Sequence, residues 1–227
     1  MIPKVAHFHW SQRGPEMSWL RWVSIRSFRK FHPDWEIRLH PTLPEIIPFG
    51  LMFGQEADWT WWEILSREGG WQIATDIVFR GRIPDDWLDC DLNACQNGIR
   101  GVYQFAALGA SPGNPYMEAC AGQCRHMAKN LNVSQNYQAF GVDLLKSLGG
   151  VMMEQGGKLI DQPMESFCFL NCEEFPRLWK KEQIDIPDAA IGVHWYGGGG
   201  LSRELEWTAG PDSGYFITDL ARSIVGP

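Results

Sequence analysis

Apolar and polar positions along this chain follow two periods. Val5 to Trp10 is a short apolar and aromatic run that predicts a strand. Residues Ser11 to Pro15 read as a loop, and Pro15 suits a helix start. From Trp19 to Phe31 the residues Trp19, Trp22, Val23, Phe28 and Phe31 recur at helical spacing. His32-Pro33-Asp34 stops that helix. Trp35, Ile37 and Leu39 then alternate with polar residues, which is a strand pattern.

Pro41 to Pro48 is a proline-rich connection, and a helix from about Glu56 to Glu68 is ended by Gly69-Gly70. Trp71 to Phe79 and Val102 to Leu108 predict strands, and Pro115 opens a helix to about Asn130. A short helix is expected over about Val142 to Leu148, with short strands at Val151 to Met153, Phe167 to Leu170 and Ala190 to His194. A closing helix is expected over about Ser213 to Ile224. Strands alternating with helices predict an α/β chain with a mainly parallel central sheet covered on both faces. In such sheets ligands sit beyond the carboxyl ends of the strands. Those ends are Phe8-His9-Trp10, Ala74-Thr75-Asp76 and Val193-His194-Trp195.

Composition narrows the classes. The 227 residues are 44% apolar, enough for a sizeable core. Twenty basic against 27 acidic residues give a net charge of −7, with no basic block, so nucleic acid is not an expected partner. No apolar run approaches the ~18 residues of a membrane span. Pro3, His7 and His9 interrupt the start where a secretion signal needs an unbroken apolar stretch, so the expected location is cytoplasmic. The cysteines fall into the local pairs Cys90/Cys95, Cys120/Cys124 and Cys168/Cys172. In a secreted chain these suit disulfides, and in a cytosolic one buried thiols. Twelve tryptophans supply core and, at a groove, faces for bases and sugar rings.

A protein that uses a nucleotide sugar must hold a diphosphate and stabilise it as it leaves with extra negative charge. A hard divalent cation between carboxylates and phosphates does this, and carboxylates at i and i+2 on a strand point to one side. The stretch Asp58 to Asp76 resembles the sugar-binding Asp-x-Asp region of the family 32 type glycosyltransferases. Asp58, Leu65, Gly69, Gly70, Thr75 and Asp76 fall at matching places. The resemblance continues in order through Ile2 to Trp10, Phe31 to Glu36, Ala107 to Pro115, Phe140 to Leu145 and Val193-His194-Trp195.

That resemblance implies one Rossmann-like glycosyltransferase A-type domain over residues 1–227, with 197–227 as a flexible loop and closing helix. It implies transfer of a sugar from a nucleoside-diphosphate donor, UDP- or GDP-linked, to a glycan, lipid or protein acceptor, with retained anomeric configuration. It assigns Asp76 as the catalytic, metal-binding acid, with His194 or a donor phosphate completing a Mn2+ or Mg2+ shell. Trp10 is implied as the base contact and Asp58 as a sugar contact, with Gly69, Gly70, Thr75 and Trp195 also in the donor site. Two departures stand out: the first acid of the pair is Ala74, and the arginine expected after Asp58 is Trp61. They keep open a metal-independent transferase and a non-catalytic nucleotide- or sugar-binding module.

Each residue also has a plainer reading. Asp76 suits a turn or cap, His194 a core histidine bonded to a carbonyl, Trp10 the core, and Asp58 the cap of its helix. The run Asp85, Asp86, Asp89, Asp91 reads as a solvated loop, with Trp87 and Leu88 as its buried members. Gly197 to Gly200 suits a diphosphate cradle of backbone N–H groups, a lid hinge or a linker.

Overall fold

The computed structural model describes residues 1–11, 15–41, 51–97, 102–130, 136–149, 154–155 and 157–226. The loop residues 12–14, the proline-rich residues 42–48 and the strand expected at Val151 to Met153 lie outside the described residues. In chain order the elements begin with β1 (Val5–His9), α1 (Trp19–Phe31), β2 (Glu36–His40), α2 (Phe53–Glu68) and β3 (Gly70–Ile73). There follow β4 (Ile77–Phe79), a 3-10 turn at Asp85–Leu88, β5 (Leu92–Asn97), β6 (Val102–Ala110), α3 (Pro115–Asn130) and α4 (Val142–Ser147). Next come β7 (Leu159–Asp161), a helix at Glu165–Cys168, a 3-10 helix at Phe175–Trp179 and β8 (Gly192–His194). Helices Gly200–Leu205 and Phe216–Val225 come last. No helix among the described residues is long and apolar enough to cross a membrane.

The chain divides into two compact units. The first comprises Met1–Pro15, Glu36–Ile73 and Pro84–Gln162. Its six strands form one sheet in the order β2-β1-β3-β6-β5-β7. The pairs β1–β2, β1–β3 and β5–β7 are parallel, whereas β6 runs antiparallel to β3 and β5. Trp62 and Leu65 of α2, Leu108 of β6, Met117 of α3 and Leu144 of α4 share one buried core. Trp62 enters it without losing a hydrogen bond, because its Nε1–H donates to the Phe140 carbonyl at 2.7 Å.

The Gly-Gly pair has a local structural reason. Gly69 ends α2 with φ of 63°, and its N–H donates to the Leu65 carbonyl at 3.1 Å. Gly70 starts β3 at φ of 95°, and a Cβ there would sit 2.8 Å from the Val5 carbonyl oxygen and from His7 Nε2. Parallel pairing of β3 beside β1 therefore needs a residue without a side chain.

The second unit comprises Glu16–Trp35, Ala74–Ile83 and Pro163–Pro227. β4 and β8 form an antiparallel ribbon, and α1 and helix Phe216–Val225 share its core through Leu20, Val23, Val78, Val193 and Ile217. Ser18 caps α1 by accepting from the Arg21 N–H at 3.4 Å. His32 closes the helix: its ring stacks on Phe28, its Nδ1 lies 3.0 Å from the Phe28 carbonyl, and its Nε2 accepts from the Ile83 N–H at 2.8 Å.

Several elements differ from their sequence patterns. Trp71 to Phe79 is not one strand: β3 pairs with β1 and β6, whereas β4 pairs with β8 in the other unit. Residues Phe167 to Leu170 do not extend, because Pro163 and Met164 begin a turn that continues as helix Glu165–Cys168, with Cys168 N–H on the Met164 carbonyl at 2.9 Å. The glycine run leads directly into helix Gly200–Leu205. Strands β5 and β7 have no counterpart in the apolar pattern, since β5 mixes Asn93 and Gln96 with apolar residues and β7 has only three residues.

Candidate functional site

The register of the β4–β8 ribbon builds the centre of the candidate site. Ile77 lies opposite His194, so Asp76 and Trp195 face each other at its end, and the Trp195 N–H donates to the Asp76 carbonyl at 2.9 Å. The Asp76 carboxylate Oδ2 accepts from the Gly197 N–H at 2.7 Å and lies 3.2 Å from His194 Nε2. The other ring nitrogen of His194 is 3.6 Å from the Cys168 sulfur. Burial alone would raise the Asp76 carboxyl, but His194, Arg21 and the Gly197 N–H outweigh it and hold it below the ordinary carboxylate range. Burial likewise opposes charge on His194, yet Asp76 and Cys168 raise its pKa to about 10. The pair is therefore a carboxylate and an imidazolium at neutral pH.

Thr75 and Trp195 are tied together by Arg21, a residue of α1 that the helical pattern hid. Arg21 Nη1 donates to Thr75 Oγ1 at 3.0 Å, and Nη2 donates to Glu206 at 2.8 Å. Its guanidinium carbon lies 4.7 Å from the centroid of the Trp195 ring. The Trp195 indole is fully buried and meets Trp179 edge-on. The Trp195 carbonyl accepts from Ser202 Oγ at 2.7 Å, and Ser202 accepts from Trp179 Nε1 at 2.8 Å. After this tryptophan, Tyr196 takes φ of 52°, the left-handed region that a bulky residue adopts only when its surroundings hold it. Its hydroxyl donates to the Leu170 carbonyl at 2.8 Å. Cys168, Tyr196 and Glu206 also escaped sequence reasoning, because none stands in a recognisable motif.

The remaining candidates belong to the first unit. Trp10 is half-buried and its Nε1–H donates to the Pro15 carbonyl at 3.0 Å. Asp58 does not cap its helix: α2 begins at Phe53 with Met52 at the cap, so Asp58 stands in the second turn. It is buried, and burial raises its pKa well above the usual carboxylate value. Its Oδ2 would lie 2.8 Å from a Cβ at Gly141, so that glycine makes room for the acid. Trp61, at the position of the expected arginine, is buried. Gly69 offers its carbonyl to His7 Nε2 at 2.9 Å, and His7 Nδ1 lies 2.9 Å from His40 Nε2. Burial lowers the pKa of both His7 and His9 to about 4.

Other sequence features resolve into structure. Asp85, Asp86 and Asp89 are exposed, and Leu88 beside them is buried. All six cysteines are free thiols, and Cys172 alone among them is exposed. Cys120 and Cys124 share the buried face of α3, where burial pushes the Cys120 thiol up to about 12, while His126 is exposed. In the glycine run, the Gly197 N–H is committed to Asp76 and the Gly199 N–H to the Tyr196 carbonyl at 2.7 Å.

A divalent cation would need donors converging on one point. Asp76 Oδ2 and His194 Nε2 are 3.2 Å apart, a spacing compatible with two ligands of one ion. Position 74 contributes no carboxylate, and among the described residues no three His, Cys, Asp or Glu side chains gather in a group able to hold a metal ion. The residues therefore fit such an ion only as a two-donor site completed by ligand oxygens, and only once His194 gives up its Nε2 proton, since a metal-bound histidine is neutral.

No protein-family model matches the chain, and no curated protein matches it either. Solved structures do. A glycosyltransferase involved in the glycosylation of the major capsid of PBCV-1 aligns at a TM-score of 0.53 and 11% identity, over 89% of this chain and 99% of its own. The PaToxG glycosyltransferase aligns at 0.51 and 13% identity, over 67% of this chain and 69% of its own. The glycosyltransferase GlyE of Streptococcus pneumoniae TIGR4 aligns at 0.50 and 11% identity, over 98% of this chain and 65% of its own. At such identities the likeness is one of fold, and the chain has the α/β fold of the glycosyltransferase A type, a mainly parallel sheet flanked by helices.

Proposed function

We propose that this protein is a glycosyltransferase of the family 32 type that takes its sugar from a UDP- or GDP-linked donor and retains the anomeric configuration. The observation that carries the reading is the meeting of Asp76 and His194, two residues expected from the sequence to act together, at 3.2 Å beside the Gly197 turn. In this reading Asp76 and His194 face the donor diphosphate, with Thr75 and Trp195 shaping the backbone beside them, and Gly69 and Gly70 of the first unit are further donor contacts. Trp10 meets the base, and Asp58 a sugar hydroxyl. A manganese or magnesium ion held by Asp76 and His194 would supply neutralising charge for the departing diphosphate. The acceptor is a glycan, lipid or protein, and the site of action is the cytoplasm.

Calorimetry with common UDP- and GDP-sugars, with and without manganese, tests the reading together with donor hydrolysis followed by mass spectrometry. Saturable binding with turnover supports it. Absence of binding by every donor at any metal concentration defeats it.

A second reading has its own observation. Ala74 and Trp61 replace an acid and an arginine, and the Asp76 carboxylate is already met by His194 and Gly197. A non-catalytic nucleotide- or sugar-binding module fits those facts, and nucleotide binding without turnover would favour it.

A further inference from the structure

Arg21 is the residue on which the second unit's candidate groups converge. It donates to Thr75 and Glu206 at 3.0 and 2.8 Å, and its cation faces the ring of Trp195. A Cβ at Gly197 would collide with Arg21 Nη2, so the glycine whose N–H holds Asp76 is also the one that admits the guanidinium. The field of Arg21 reaches the Asp76 carboxylate.

Packing alone does not account for this arrangement. The Arg21 and Glu206 side chains are 13% and 2% exposed, and burying two charges costs desolvation that an apolar pair of the same volume avoids. What a planar guanidinium adds is direction. It fixes several partners at once through a rigid fork and keeps its charge at every working pH.

We propose that Arg21 is a positioning residue of the donor site: it sets Thr75, Trp195 and the Gly197 turn and holds a permanent positive charge beside the place of the donor diphosphate. The inference rests on the nucleotide-sugar reading above and adds to it a protein cation that acts whether or not a metal ion is present.

The test compares UDP and GDP with the nucleosides uridine and guanosine, by calorimetry with chelator present. The proteins are wild type, Arg21→Lys and Arg21→Gln, and their melting temperatures are recorded alongside. Arg21→Gln is expected to weaken diphosphate binding about tenfold and leave nucleoside binding unchanged, since removing a fixed charge acts on the charged part of the ligand. Arg21→Lys keeps the charge and loses the fork, so it is expected to recover part of the diphosphate affinity. It also serves as the folded comparison if Arg21→Gln proves unstable. Equal losses for nucleoside and diphosphate, or no loss in a folded variant, overturn the assignment to Arg21 while leaving the donor reading standing. A wild-type protein that binds neither UDP nor GDP overturns both.

Discussion

His194 Nε2 lies 3.2 Å from the Asp76 carboxylate, and the two residues reach each other because Ile77 and His194 are partners in the β4–β8 ribbon. The contact joins the turn after β3 to the last residue of β8, and the Gly197 N–H completes it. It is both the centre of the candidate site and an internal ion pair of the second unit, and these two roles have separable consequences.

As an ion pair it contributes to stability. Asp76→Ala leaves the His194 imidazolium without its partner and the Gly197 N–H without its acceptor. Breaking one side of a buried pair costs about 3 kcal/mol or more, reduced here by the partial exposure of both side chains. Urea unfolding of Asp76→Ala is expected to show a clear fall in midpoint. His194→Gln, which retains a hydrogen-bonding side chain and removes a charge, should fall less.

The pH dependence follows from the two shifts. His194 has a pKa raised from 6.5 to about 10, so its stabilisation is complete below pH 6.5 and fades as pH rises toward 10. Asp76 has a lowered pKa, so its share is complete above its ordinary value of 3.8 and is lost only as pH falls below that. Denaturation midpoints measured from pH 6 to pH 10 are expected to decline in the wild type. The decline should be absent in His194→Gln.

On the acid side a different cluster acts. His7 and His9 are kept neutral by burial, with pKa values lowered from 6.5 to about 4. An unfolded chain takes up protons at these positions before the folded one does, so stability falls as pH drops from 6.5 toward 4. A steep loss of midpoint between pH 6.5 and 4.5 is expected, and His9→Gln should flatten it.

Restoring the missing acid tests the cation site. Ala74→Asp adds a carboxylate two residues from Asp76, and a further anionic ligand is expected to tighten manganese binding about tenfold or more. Calorimetric titration with manganese alone reads this directly. An unchanged affinity would mean that Asp76 does not serve as a cation ligand.

The glycine that starts β3 is sensitive for a geometric reason. Gly70→Ala places a Cβ 2.8 Å from the Val5 carbonyl oxygen at φ of 95°. Left-handed strain and the clash together are expected to cost about 2 kcal/mol or more, seen as a lowered melting temperature. Trp87→Ala, at a half-exposed position outside this contact, should fall less.

Much of the fold was legible because its signals are local. Apolar spacing from Trp19 to Phe31, with His32-Pro33-Asp34 after it, delimits α1 as observed, and the structure adds Ser18 as its cap. Pro115 opens α3 and Asn130 ends it, also as expected. Residues Asp76 and His194 stood out because both lie in segments read as strand carboxyl ends and in the family resemblance, and the structure joins them. Other features depend on partners distant in sequence. The stretch Trp71 to Phe79 reads as one strand despite Thr75 and Asp76 in its middle, and its pairing partners split it between a sheet with β1 and β6 and a ribbon with β8. Arg21 is one more position in a helical pattern until Thr75, Trp195 and Glu206 are placed around it. The sequence alone determined the bounds of helices such as α1 and α3, since caps, prolines and periodicity act within a few residues. The tertiary structure decided which strands pair and which charges face one another, because those depend on burial and on contacts that one stretch of chain does not contain.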